Sequence, residues 1–279
     1  MLKQWKPFIL CFYVLAAALL AVGTFVDLKL DVALNNPTSE FARWFEATGE
    51  MPSRLVTTVA GVMLFYLSEK PLLRIFGLVA NFGGAAYLGE HLHRYFFRDT
   101  FSLPAGIVFG LGVGVIALYI GQYIHVPEKL KKPLIILCVA GIAVWFTQMC
   151  VIESVKIVWG RVRYRELLRQ GSMDGFMPWY RPGGFTSSNE FKSFPSGHTA
   201  GAGLSFLMML LPYVSPKWKQ HKVWCFILPL AYTGTVAFSR MMMGAHFLSD
   251  VTVGATVTFT AVVIAVKIID KKFSLHFEE

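Results

Sequence analysis

The chain has 279 residues, of which 55% are hydrophobic and only 15% charged, and its mean hydropathy is +0.53. A soluble domain carries roughly a quarter charged residues, so this balance excludes an ordinary soluble protein; with the apolar residues gathered in blocks, it indicates one polytopic membrane domain over residues 1–279. The formal net charge of +9 is concentrated at the ends of the apolar runs, where cations anchor and orient helices, so it implies no nucleic-acid partner.

The first run, Pro7 to Val26, follows Lys3 and Lys6 and is about one bilayer in length. It is long for a signal core and lacks a following A-x-A site, which favours a retained anchor. Residues 27–54 are polar and read as an extracytoplasmic interfacial segment. Within it Phe41, Trp44 and Phe45 share one helical face and Glu40, Arg43 and Glu46 the other, the pattern of a short interfacial helix or of an ordinary loop turn. Further runs are Leu55–Ser68, Ile75–Gly89, Phe101–Ile124, Pro133–Glu153, Ser196–Val214, Val223–Phe238 and Phe247–Val266.

Lysine and arginine placement orients these runs. With the eight taken in order, the even-to-odd junctions carry Lys70 and Arg74, then Lys129, Lys131 and Lys132, then Lys217, Lys219 and Lys222; the tail adds Lys267, Lys271 and Lys272. Both termini are then cytoplasmic. A six-span arrangement that denies Leu55–Gly89 its two crossings keeps the same parity. One junction departs from the rule: residues 156–198 belong outside, yet hold Lys156, Arg161, Arg163, Arg165, Arg169, Arg181 and Lys192 against Glu166, Asp174 and Glu190. An anionic substrate or lipid headgroups would account for it. The segment from Trp179 to Phe185 mixes aromatic, basic and glycine residues beside this cluster and reads as a lid or headgroup pocket. Cys11, Cys138, Cys150 and Cys225 lie in or beside apolar runs at no metal-ligand spacing and read as buried small hydrophobes.

Three clusters carry possible chemistry, all on the expected outer side. Lys156 and Arg163 are seven apart, two helical turns, so a helix would place both on one face; they equally suit a pair of snorkelling anchors. Pro195-Ser196-Gly197-His198 precedes an apolar run, where free helix N–H groups and a glycine suit an anion, or where a plain helix cap would stand. Ser239 and Arg240 are followed by His246 and Asp250, four apart and hence helical neighbours. A carboxylate beside an imidazole sets its tautomer and makes it a better nucleophile or base, although a buried His–Asp pair can also serve only to lock a helix contact.

Taken together, these segments resemble the signature of the type 2 phosphatidic acid phosphatase superfamily: K-x6-R-P, then P-S-G-H, then S-R-x5-H-x3-D. The resemblance spans roughly Pro133 to Val266, with the catalytic core over residues 133–266. Tyr164 stands where the first motif carries proline, and of Arg161, Arg163 and Arg165 only Arg163 keeps the spacing from Lys156.

The resemblance implies an all-α integral membrane protein, a polytopic bundle with a six-helix phosphatase core and an extra helical hairpin, about eight spans in all. It implies His246 as a nucleophile that becomes phosphohistidine, Asp250 holding its ring, and His198 protonating the leaving oxygen. Lys156, Arg163, Arg240, Ser196 and Gly197 would bind the phosphate oxygens. No metal, cofactor, nucleic acid or obligatory protein partner is implied; the carboxylates are too few and scattered for magnesium. The implied partners are the bilayer and a lipid phosphate or diphosphate such as undecaprenyl diphosphate, phosphatidylglycerophosphate, phosphatidic acid or a lipid A phosphate. A lipid-to-lipid phosphotransferase using the same site is the alternative, and a transporter is disfavoured because the ionisable clusters sit at one level. An outward-facing site and short loops fit a bacterial inner or plasma membrane.

Overall fold

The computed structural model describes residues 2–215 and 217–274, with the backbone alone for Leu2 and residues 272–274. The side chain of Lys272, counted among the basic flanks, therefore lies outside the described residues. All regular elements among the described residues are helical. In chain order they are α1 (Leu2–Leu34), α2 (Glu40–Thr48), α3 (Met51–Leu67), α4 (Pro71–Phe96), α5 (Leu103–Gly121), α6 (Glu128–Trp159), α7 (Tyr164–Gln170), α8 (Gly197–Gly203), α9 (Leu211–Val214), α10 (Lys217–Gln220), α11 (Trp224–Met242) and α12 (Leu248–Ser274).

The eight expected apolar runs all fall on helical chain. Among the described residues six helices, α1, α4, α5, α6, α11 and α12, are individually long and apolar enough to cross a membrane, and the protein is a polytopic helical membrane protein. Two runs differ. Helix α3 has 17 residues, short for a span. Ser196–Val214 is not one helix: α8 passes at Leu204 into a 3-10 stretch that ends at Leu210, followed by the four-residue α9. Gly197, Gly201 and Gly203 weaken α-helix propagation in that run, and Pro212 cannot donate to it.

The first helix also outruns expectation. It continues past Val26 to Leu34, because Asp27 and Asp31, one turn apart, face inward and are buried rather than starting a solvated loop. The short helix near Phe41 does form as α2. Ser39 caps it, accepting at Oγ from the Ala42 N–H at 3.3 Å.

The chain divides into two compact units. Residues 51–146 and 209–222 form one; residues 1–50, 147–208 and 223–279 form the other, and every motif residue belongs to the latter. In the first unit α3, α4 and α5 pack through small residues. A Cβ on Gly77 would lie 2.9 Å from the Phe65 backbone nitrogen, so glycine is what lets α3 and α4 approach this closely. In the second unit Phe12 of α1 stacks on Phe259 of α12 with ring centroids 3.8 Å apart, and Phe206 and Phe226 complete that aromatic core. A separate apolar cluster of Val162, Tyr164, Leu167 and Phe247 underlies the motif residues.

Candidate active site

Lys156 lies in the last turn of α6. The helix stops at Trp159 because Gly160 takes a positive φ of 60°, which turns the chain into an extended stretch up to α7. Arg163 is the extended N-cap residue of α7. The expected single helix face for Lys156 and Arg163 therefore does not exist; a turn and an extended segment deliver Arg163 instead. Its Nε donates to the Asn189 carbonyl at 3.0 Å and Nη2 to Asn189 Oδ1 at 3.4 Å, which fastens the guanidinium to the loop before the second motif. Tyr164, in place of the family proline, opens α7 and is buried in the apolar cluster.

Ser196 caps α8. Its Oγ pairs with Thr199 Oγ1 at 3.0 Å, and its backbone N–H donates to the Asp250 carbonyl at 3.0 Å, so the second motif is bonded directly to α12. Gly197 makes room for a cation: a Cβ there would lie 2.7 Å from Lys156 Nζ. Lys156 Nζ is also 2.7 Å from Glu153 Oε1. His198 Nδ1 lies 3.2 Å from Glu50 Oε1.

Arg240, on the last turn of α11, is almost completely buried. Glu46 Oε1 approaches its Nη1 at 3.0 Å, yet neither Nη1 nor Nε completes a well-directed hydrogen bond among the described residues. Buried guanidinium donors left in this state favour an anion at that place.

His246 precedes α12 rather than riding on it, so the i, i+4 helical geometry expected for His246 and Asp250 is not what joins them. Its Nδ1 is 2.6 Å from the Ser193 carbonyl oxygen and 4.0 Å from Asp250 Oδ2. A carbonyl only accepts, so Nδ1 carries the hydrogen and the lone pair is at Nε2. Asp250 acts around the ring instead. Its Oδ2 accepts from Ser193 Oγ at 2.6 Å and from the Phe247 N–H at 2.9 Å, the latter capping α12.

Behind Asp250 is a buried charge cluster whose members had no assigned role in the sequence. Arg161 is fully enclosed; Nη1 reaches Asp250 Oδ1 at 2.5 Å and Ser249 Oγ at 2.8 Å, Nη2 reaches Asp27 Oδ2 at 2.9 Å, and Nε reaches the Met177 carbonyl at 2.9 Å. Arg161, first met as a competitor for the register of Arg163, is thus the partner of two buried aspartates. Asp27 could have been found from the rarity of acids next to a membrane run. Ser193, Glu46 and Glu50 carry no sequence signal. The Trp179–Phe185 segment is tied to Trp159 at two points: Trp159 Nε1 donates to the Trp179 carbonyl at 2.9 Å, and Gly183 N–H donates to the Trp159 carbonyl at 2.6 Å.

The electrostatics follow from this enclosure. Burial first, and then Arg163, Arg240, Lys156 and His198, hold the His246 imidazole well below the usual histidine range. Burial and then Arg240 push His198 down likewise, opposed by Glu50, with Lys156 and Arg163 adding to the depression. His246 is therefore neutral, with its Nε2 lone pair available. No group of three or more His, Cys, Asp or Glu side chains among the described residues is placed to hold a metal ion.

Membrane-length helices together with two enclosed histidines beside buried cations define an integral membrane protein built to handle an anionic group. Residues 132–274 match the family model described as the PAP2 superfamily, and the chain belongs to that superfamily. Membership brings phosphatase or phosphotransferase chemistry on lipid-like phosphates. No curated protein and no solved structure matches the chain.

Proposed function

We propose that the protein is an integral membrane phosphatase that hydrolyses lipid phosphates or diphosphates through a phosphohistidine at His246, without a metal. The observation that carries this reading is the 2.6 Å contact from His246 Nδ1 to the Ser193 carbonyl, which leaves Nε2 as a buried neutral nucleophile. In the first step the Nε2 lone pair attacks phosphorus, the bond from phosphorus to the lipid oxygen breaks, and His198 gives that oxygen a proton. In the second step His198 takes a proton from water, whose oxygen displaces His246 and releases inorganic phosphate. Lys156, Arg163 and Arg240, with Ser196 and the Gly197 N–H, hold the phosphate oxygens, and fixed positive charge supplies most of the rate. Asp250 steadies the ring through Ser193.

The reading places both termini in the cytoplasm and the site on the far side of a bacterial inner or plasma membrane, on the lysine and arginine pattern of the junctions. Undecaprenyl diphosphate and phosphatidylglycerophosphate rank above phosphatidic acid and lipid A phosphates as substrates, on the outward site and short loops. The test is phosphate release from a panel of these lipids by the purified protein in detergent, with and without chelator. The expected result is turnover that survives chelation and is absent in His246→Ala. No free phosphate in the absence of an acceptor lipid, with phosphate passing to that lipid once it is added, would instead identify a phosphotransferase, and chelator inhibition reversed by one metal would overturn the metal-free chemistry.

A further inference from the structure

We infer that Glu50 is a positioning residue for the general acid, holding His198 by Nδ1 so that Nε2 is the nitrogen presented to the leaving oxygen. The inference rests on the role proposed for His198. Glu50 lies far outside the matched residues 132–274, so family membership assigns it nothing.

Three observations support it. His198 Nδ1 is 3.2 Å from Glu50 Oε1, and both side chains are largely enclosed, at 16% and 11% exposure, where a carboxylate–imidazole contact is little screened. Glu50 is rigidly mounted. The Tyr232 hydroxyl of α11 donates to the Thr48 carbonyl at 3.2 Å and to the Gly49 carbonyl at 3.1 Å. Gly49 packs so tightly that a Cβ would lie 2.9 Å from the Val236 methyl groups. The same helix, α11, carries Arg240, so acid and phosphate anchor share one support.

The charges facing His198 are Arg240 from α11, Lys156 from α6, Arg163 from the stretch before α7, and Glu50; Glu50 alone of these favours the protonated ring. Without it, three cations would oppose the proton that the leaving oxygen requires. A carboxylate accepts from Nδ1–H in both the neutral and the protonated ring, so His198 can lose and regain its Nε2 proton without turning over.

The test compares Glu50→Gln with the wild-type full chain in detergent on dioctanoyl phosphatidic acid, whose alkoxide must be protonated, and on p-nitrophenyl phosphate, whose phenolate leaves unaided. The amide keeps the size of the side chain and removes its charge. The expected result is a loss in kcat/KM of about tenfold or more on the lipid, with a change of less than about threefold on the aryl ester. The basic limb of the lipid pH profile should also move to lower pH. An equal loss on both substrates, or no loss on either, overturns the inference. If the wild type hydrolyses neither substrate, the phosphatase reading fails and this inference with it; if it hydrolyses both and the two losses are equal, only the role of Glu50 fails.

Discussion

The Ser193 carbonyl, and not the Asp250 carboxylate, is the direct partner of His246: it lies 2.6 Å from Nδ1, whereas Asp250 Oδ2 is 4.0 Å away. Asp250 reaches the histidine through Ser193, whose hydroxyl it binds at 2.6 Å. Ser193→Ala keeps the carbonyl and removes only the hydroxyl link. A hydrogen bond to a charged group is worth about 1.5–3 kcal/mol, so kcat should fall roughly tenfold to hundredfold, while isotopically labelled protein quenched in alkaline denaturant, in which the N–P bond survives, still carries phosphate on His246. His246→Ala should carry none. Label retained by His246→Ala would remove the nucleophile from the mechanism.

Arg161 is the countercharge for both Asp27 and Asp250 in a site closed to water. Arg161→Leu leaves two carboxylates uncompensated, and breaking a buried pair in this way costs about 3–5 kcal/mol. We expect a clear drop in melting temperature in detergent. Adding Asp27→Asn to that variant should recover part of the loss, a coupling that a double-mutant cycle measures. Full additivity of the two substitutions would show that the pair does not interact.

Arg240 Nη1 lies 3.0 Å from Glu46 Oε1, so the acid and a bound oxyanion would compete for the same guanidinium. Vanadate, which mimics the phosphoryl group in transfer, should bind Arg240→Ala at least about thirtyfold more weakly, as loss of about 2 kcal/mol from a buried charge contact implies. Glu46→Gln removes a competitor for the guanidinium and should tighten vanadate by a few-fold. Isothermal titration checks both, and weaker binding by Glu46→Gln would mean that the acid supports the cradle.

The pH profile follows from the neutral state of His246. Neighbouring cations disfavour its protonated form, so the acid limb of kcat/KM in the free enzyme should lie below pH about 6.5, the ordinary histidine value. Lys156→Met removes one of those cations and eases protonation. Its acid limb should therefore move to higher pH, alongside weaker substrate binding. A shift to lower pH would contradict the electrostatic assignment of Lys156.

By itself the sequence determined what is local and periodic. Blocks of apolar residues specify helices through backbone satisfaction in lipid, which needs no knowledge of neighbours. The ordered residues Lys156, Arg163, Ser196, Gly197, His198, Arg240, His246 and Asp250 were legible because each motif is contiguous or nearly so. Tertiary structure alone decided how these residues are held. Helical spacing was the only tool for relating Lys156 to Arg163 and His246 to Asp250, and in both cases a chain turn just outside a helix replaced it. The supports, Ser193, Arg161, Asp27 and Glu50, come from chain segments remote from the groups they bind. A contact such as Glu50 to His198 exists only after α2 and α8 have packed on α11, and no one-dimensional spacing encodes it.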